Sequence, residues 1–158
     1  MEKLELNIIS TNKHLFVLIF TLLAILTMFI NLHILDLLGV EYEERPVEDK
    51  TFWFIVGAII IAPLIETFLF QKLPIDYFRK YIKNDWPLVI ISAVPFGLIH
   101  YIKDFFVRDI FYAFCFGAIF AYAYVLAGKR EDMNAYWAVV IIHAGYNTVA
   151  LIIHLLVD

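Results

Sequence analysis

The segment Thr51–Leu73, TFWFIVGAIIIAPLIETFLFQKL, carries one acid, Glu66, in an apolar run that meets no cation before Lys72. Wound as a helix at about 1.5 Å per residue, it reaches ~34 Å, enough to cross a ~30 Å hydrocarbon core. A carboxylate at that depth costs ~2.5–3.5 kcal/mol on insertion scales, so its presence asks for a function. Four further apolar runs surround this one. Leu15–Leu38 precedes it, interrupted only by small polar residues and by Asn31, His33 and Asp36; Trp86–Ile102, Ile110–Ala127 and Ala135–Val157 follow. Trp86–Ile102 is the shortest, and Pro95 inside it predicts a kinked helix sheltered by its neighbours.

The composition agrees. Of 158 residues, 63 % are hydrophobic and 18 % charged, with a mean hydropathy of +0.81. Soluble domains have roughly one half apolar and one quarter charged residues. A chain of this size still leaves about a third of its surface outside any core, so the excess apolar surface must face lipid. A disordered chain is excluded. A single cysteine, Cys115, excludes a secreted disulfide scaffold. Twelve Lys+Arg against sixteen Asp+Glu, a net charge of −4 with no basic tract, exclude a nucleic-acid binder. The expected fold is all-α: a polytopic membrane bundle of about five transmembrane helices, in one domain over residues 1–158. The run at Leu15 is too long and too late for a signal peptide and should stay attached. Ala113, Gly117 and Ala121, four residues apart, predict a close helix–helix crossing. Residues 39–50 are expected to be unstructured.

Cations near span ends favour the cytoplasm. Lys3, Lys13, Lys72, Arg79, Lys80, Lys83, Lys129 and Arg130 fall on one side of the five spans; Arg45, Lys50, Lys103 and Arg108 fall on the other. The N-terminus is therefore expected inside and the C-terminus outside, in a prokaryotic plasma membrane.

Few polar groups lie within the spans. Besides Glu66, they are His100 at the end of the third, and His143 with Asn147 in the fifth, one helical turn apart on one face. His154, His33 and Asp36 lie near span ends and read as interfacial. A Glu desolvated by burial has its pKa raised toward the neutral range where a general base works best. It can take a proton from water, and the hydroxide can attack a carbonyl carbon. An imidazole N–H and a carboxamide NH₂ can then meet the developing oxyanion, and a second imidazole can help hold the water. This set suffices for peptide hydrolysis without a covalent intermediate or a cofactor. Ser10 and Ser92 have no base at a recognisable spacing, Cys115 reads as an inert packed thiol, and no span carries two acids.

At these residues the sequence resembles the CPBP family, the CAAX proteases and bacteriocin-processing enzymes, also called the Abi family of intramembrane glutamic proteases. Its three signatures, Glu-Glu-x-x-x-Arg, Phe-x-x-x-His and His-x-x-x-Asn, correspond here to Glu66-Thr67-Phe68-Leu69-Phe70-Gln71, Phe96-Gly97-Leu98-Ile99-His100 and His143-Ala144-Gly145-Tyr146-Asn147. The resemblance covers residues 51–156; the span at 15–38 is an addition. It implies that Glu66 is the catalytic base, that His100 shares the water, and that His143 and Asn147 form the oxyanion hole. Prenylated CAAX proteins are the substrates of the eukaryotic members, and the expected partners here are membrane lipid and a membrane-associated or peptide substrate.

Thr67 and Gln71 depart from that pattern, replacing an acid and an Arg. Losing one charge of such a pair would strand the other in the bundle, at ~3–5 kcal/mol; with both neutral, a Thr67–Gln71 hydrogen bond across the turn is expected. Counted from the inner span ends, Glu66 lies ~10 Å deep, His143 ~12 Å, Asn147 ~18 Å and His100 ~21 Å; a tilt, or a third helix that begins below the membrane surface around Lys83, would bring His100 down. Three alternatives stay open: a zinc hydrolase with Glu66, His100 and His143 as ligands, a non-enzymatic immunity or scaffold protein retaining the fold, and a proton-coupled carrier, against which the lack of an inverted repeat speaks.

Overall fold

The computed structural model of the chain describes residues 2–39, 52–104 and 107–157. They form six helices and, among the described residues, no strand. A short helix, α1 (Glu2–Ile9), precedes α2 (Lys13–Leu37), whose N-terminus is capped by the Asn12 side chain accepting from the His14 N–H at 2.8 Å. Then come α3 (Phe52–Phe78), α4 (Asp85–Asp104), α5 (Val107–Ala127) and α6 (Ala135–Val157). Helices α2, α3, α5 and α6 are long and apolar enough to cross a membrane, and α4 carries a shorter apolar stretch, Asp85–His100. The fold is the expected all-α membrane bundle. The segment expected to be unstructured falls, apart from Gly39, outside the described residues, as do Arg45 and Lys50 and the side chains of Lys103 and Arg108.

Helix α5 is the axis of the bundle: 56 % of its most apolar window is buried in protein, against 11 % for α3. Lipid offers no hydrophobic force to bring helices together, so close backbone approach has to do it. The α4–α5 crossing supplies that approach. A Cβ added to Gly97 would sit 2.9 Å from the Ile110 carbonyl oxygen, and one added to Gly117 would sit 3.0 Å from Phe96. Ala113 and Ala121, on the stripe of Gly117, are buried at 5 % and 0 % exposure. Helix α2 lays Phe16, Phe20, Ala24, Met28, Asn31 and Leu35 against the bundle. Near its start, Gly145 of α6 lets Thr21 approach.

One end of the bundle is tied by charge. Arg130, 4 % exposed at its side chain, donates to the Ile8 and Ile9 carbonyls at the end of α1 and to that of Thr11 just beyond it, and pairs with Asp132. Asp85 accepts from both Arg79 and Lys129, and Lys129 also faces Glu5. Arg130 lies over the Phe16 ring at 5.3 Å.

Helix α3 lies at the periphery, with Ile60, Ile61, Ile65, Phe68 and Leu69 exposed and Pro63, Thr67, Gln71 and Ile75 buried. An α-helix of 3.6 residues per turn would carry a stripe at every fourth position round its axis. Two wider turns prevent that. The Ala62 N–H bonds to the Gly57 carbonyl and the Leu73 N–H to that of Phe68, both i→i−5. A turn of this kind holds roughly 4.4 residues, so the mean approaches four and the stripe runs straight. The helix also continues through Pro74 to Phe78, five residues beyond the expected end. That puts Glu66 ~18 Å from the Phe78 end of its helix rather than the expected ~10 Å, which removes most of the depth mismatch with His100.

Candidate active site

Helix α3 presents Glu66 between its two wide turns: the first closes at Ala62 and the second opens at Thr67. Single turns of this kind are frequent at functional sites because they re-aim side chains and free carbonyls. In lipid, each freed carbonyl must find another donor. Asn147 and Ser92 do this work, and Tyr136 adds a second donor to a carbonyl that already accepts from the Thr67 N–H. Ala62 bonds one residue further back than in an α-helix, so residue 63 would serve the Ala58 carbonyl. Residue 63 is a proline with no N–H. Asn147 of α6 supplies the missing donor, its Nδ2 lying 2.8 Å from Ala58 O. Tyr136 Oη donates to Leu64 O at 3.1 Å, and Ser92 Oγ to Phe70 O at 2.6 Å.

His143, on the turn of α6 below Asn147, reaches Glu66: His143 Nε2 lies 3.7 Å from Glu66 Oε2. That is beyond a direct hydrogen bond and within range of a common reactant. The imidazole is 3 % exposed and fixed between two rings. Phe120 stacks on it at 4.4 Å and Phe96 meets it edge-on at 6.0 Å. Glu66 itself is 27 % exposed at its side chain.

Phe96 also explains why a phenylalanine belongs four residues before His100. Its ring lies 4.8 Å from the His100 ring and 5.6 Å from Phe70 of α3, and its carbonyl meets His100 Nδ1 at 2.8 Å. A carbonyl only accepts, so Nδ1 carries the hydrogen and Nε2 of the neutral ring keeps its lone pair. His100 and His143 thus contact the same Phe96 ring from different helices.

His143 thus meets Glu66 on one side and shares the Phe96 ring with His100 on the other, whereas Asn147 reaches α3 at the Ala58 carbonyl, about two turns from Glu66. Its carboxamide keeps a second N–H beyond that bond. Among the described residues, no group of three or more His, Cys, Asp or Glu side chains is gathered so as to hold a metal ion. The expected Thr67–Gln71 hydrogen bond is not formed. Both side chains are fully buried, at 0 % exposure, but Thr67 Oγ1 and both Gln71 side-chain polar atoms have no protein partner. The second wide turn runs through both residues and changes their relative rotation from that of an α-turn. Cys115 is a half-buried free thiol. His33 and Asp36 are exposed near the end of α2, and His154 is half-buried near the end of α6.

Pro63, Tyr136 and Ser92 carry no part of the sequence-based site, yet each shapes the backbone that holds Glu66. The available signal was the pair of prolines, Pro63 and Pro74, inside an apolar run. A proline there frees a carbonyl, and every freed carbonyl in lipid implies a donor elsewhere.

Comparison with curated proteins and with solved structures finds no match. A profile of the type II CAAX prenyl endopeptidase Rce1-like family matches residues 48–149, from just before α3 to well within α6, and includes Glu66, His100, His143 and Asn147. With close to two thirds of its length matched, the chain belongs to the Rce1-like family of type II CAAX prenyl endopeptidases, membrane-embedded proteases of the CAAX type.

Proposed function

We propose that this protease hydrolyses a peptide bond of a membrane-associated substrate with a water activated by Glu66. The observation that carries the reading is the 3.7 Å approach of His143 Nε2 to Glu66 Oε2, from two separate spans, with a His100 whose Nδ1 is held on the Phe96 carbonyl and whose Nε2 is left as the acceptor. Glu66, as carboxylate, takes one proton from the water while His100 Nε2 accepts its other hydrogen in a hydrogen bond. The hydroxide oxygen forms a bond to the carbonyl carbon. The carbonyl electron pair moves onto oxygen, which receives the His143 Nε2–H and the second N–H of Asn147. The C–N bond then breaks as protonated Glu66 returns its proton to the amine, leaving a carboxylic acid and an amine.

Phe120 and Phe96 fix the His143 ring, so its N–H does not reorient as charge develops. We place the N-terminus, with the Arg79, Lys129 and Arg130 cluster, on the cytoplasmic side. The test is cleavage of a quenched fluorescent peptide bearing a farnesylated C-terminal Cys-aliphatic-aliphatic-X motif, by purified protein in liposomes. Wild type is expected to release fluorescence, and Glu66→Gln to release it ~10²–10⁴-fold more slowly. An equal rate in the variant overturns the role of Glu66. Loss of activity on adding a chelator, restored by zinc, would favour the zinc hydrolase instead.

A further inference from the structure

Four buried polar atoms lie on and beside the stripe that leads away from Glu66: Thr67 Oγ1, Gln71 Nε2, Gln71 Oε1 and His143 Nδ1, none with a protein partner. Threonines elsewhere in the spans show the ordinary solution. Thr21 and Thr148 turn their hydroxyls onto the carbonyl four residues back, at 2.9 and 2.7 Å. Thr67 does not; its Oγ1 is buried with no protein partner. Gln71 has two N–H groups and two carbonyl lone pairs to satisfy, at zero exposure and in the half of α3 that ends at Lys72, Asp76 and Arg79. Each such group left bare costs about 1–3 kcal/mol. A buried water makes about three hydrogen bonds, so one or two waters would satisfy this set.

The stripe also leads to an opening. Pro63, Thr67, Gln71 and Ile75 succeed one another at four-residue steps, and Ile75 forms part of the wall of a cleft of about 460 Å³ shared with Asp76, Arg79, Tyr124 and Lys129. Charged and polar side chains line part of that cleft, with Tyr124 Oη donating to Asp76 at 3.0 Å. Ile75, 2 % exposed, is the apolar residue between the cleft and Gln71.

We propose that Thr67 and Gln71 form an internal water-binding site that supplies Glu66 with its hydrolytic water from this cleft, with Ile75 as the barrier at its mouth. A hydrolase whose carboxylate sits in lipid needs water delivered as well as activated. Irregular backbone at membrane depth is tolerated where it lines a hydrated cavity, and the second wide turn spans both residues. The supply role rests on the proposed use of Glu66; the hydration itself does not.

Hydration is read without catalysis. In a Cys115→Ala background in liposomes, Thr67→Cys and the lipid-facing Leu69→Cys are treated with methyl methanethiosulfonate, which reacts with thiolate. A hydrated Thr67→Cys thiol ionises and is expected to react at least about tenfold faster than the lipid-facing one. Gln71→Cys repeats the comparison if Thr67→Cys does not fold. Equal slow labelling at both depths overturns the site. Supply is then read from the quenched farnesylated peptide: Thr67→Val and Gln71→Met should lower kcat about tenfold with KM unchanged, and Thr67→Ser should recover most of the rate lost in Thr67→Val. Full rates in Thr67→Val and Gln71→Met, with Glu66→Gln inactive, overturn the supply role alone. A full rate in Glu66→Gln overturns the hydrolytic reading instead.

Discussion

The bond from Asn147 to the Ala58 carbonyl exists because Pro63 has no N–H to give, and that dependence can be measured. Replacing Asn147 with Leu leaves the carbonyl without a donor in a half-buried position inside the bundle. An orphaned acceptor costs about 1–3 kcal/mol, while couplings between neutral polar groups in membrane helices average about 0.6 and reach about 1.7 kcal/mol. The 2.8 Å distance places this bond in the upper half, so Asn147→Leu should cost about 1–2 kcal/mol. Pro63→Ala restores a backbone N–H that, in the i→i−5 register of Ala62, points at the same carbonyl. In that background Asn147→Leu should cost less than about 0.5 kcal/mol, giving a coupling near 1 kcal/mol. Unfolding by titration from mild detergent into sodium dodecyl sulfate, on all four proteins, measures the cycle without any substrate. Effects that add within about 0.3 kcal/mol would refute the link between Pro63 and Asn147.

Other consequences follow from the packing and the charges. Phe96→Leu removes the ring that meets His100, His143, Phe70 and Phe120; it should cost about 1–2 kcal/mol, since aromatic pairs contribute ~0.5–1.5 each, and lower kcat more than it raises KM. Gly117→Ala forces a Cβ to 3.0 Å from Phe96, and overpacking of this kind should destabilise by about 1–3 kcal/mol in the same titration. Arg130→Met leaves the Ile8, Ile9 and Thr11 carbonyls without their charged donor, and limited proteolysis should then cut the α1–α2 junction that resists in the wild type. The hydrogen bond from Arg130 holds the Asp132 carboxyl below its ordinary value of 3.8. Its contribution is therefore present above that unfolded value and lost as pH falls through the lower folded one, and an NMR titration of Asp132 should move back up in Arg130→Met.

The sequence made the bundle legible through length and polarity: runs of about twenty apolar residues have few places to go but lipid, and a Glu, two His and an Asn inside them stand out because each is expensive there. The order of the motifs pointed to neighbouring spans for Glu66 and His143, which lie 3.7 Å apart. What was not legible is the local geometry of α3. Whether Pro63 and Pro74 kink, stop or widen a helix depends on which neighbours donate to the freed carbonyls. Those donors, Asn147, Tyr136 and Ser92, lie far along the chain. The Thr67–Gln71 bond failed for the same reason, since it presumed an α-turn where the backbone is wider. Phe96 was quoted as half of a motif, but its role as the ring shared by two imidazoles becomes visible only when α4, α5 and α6 are packed together.

The central claim is that proteolysis in the membrane depends on the Glu66 carboxylate. The most direct measurement presupposes no substrate: quantitative mass spectrometry of new peptide C-termini in membranes of cells producing either wild type or Glu66→Gln at equal levels. The account predicts a set of membrane-associated peptides with new C-termini that appear with wild type and are absent with Glu66→Gln. The same set of termini in both membranes would contradict it.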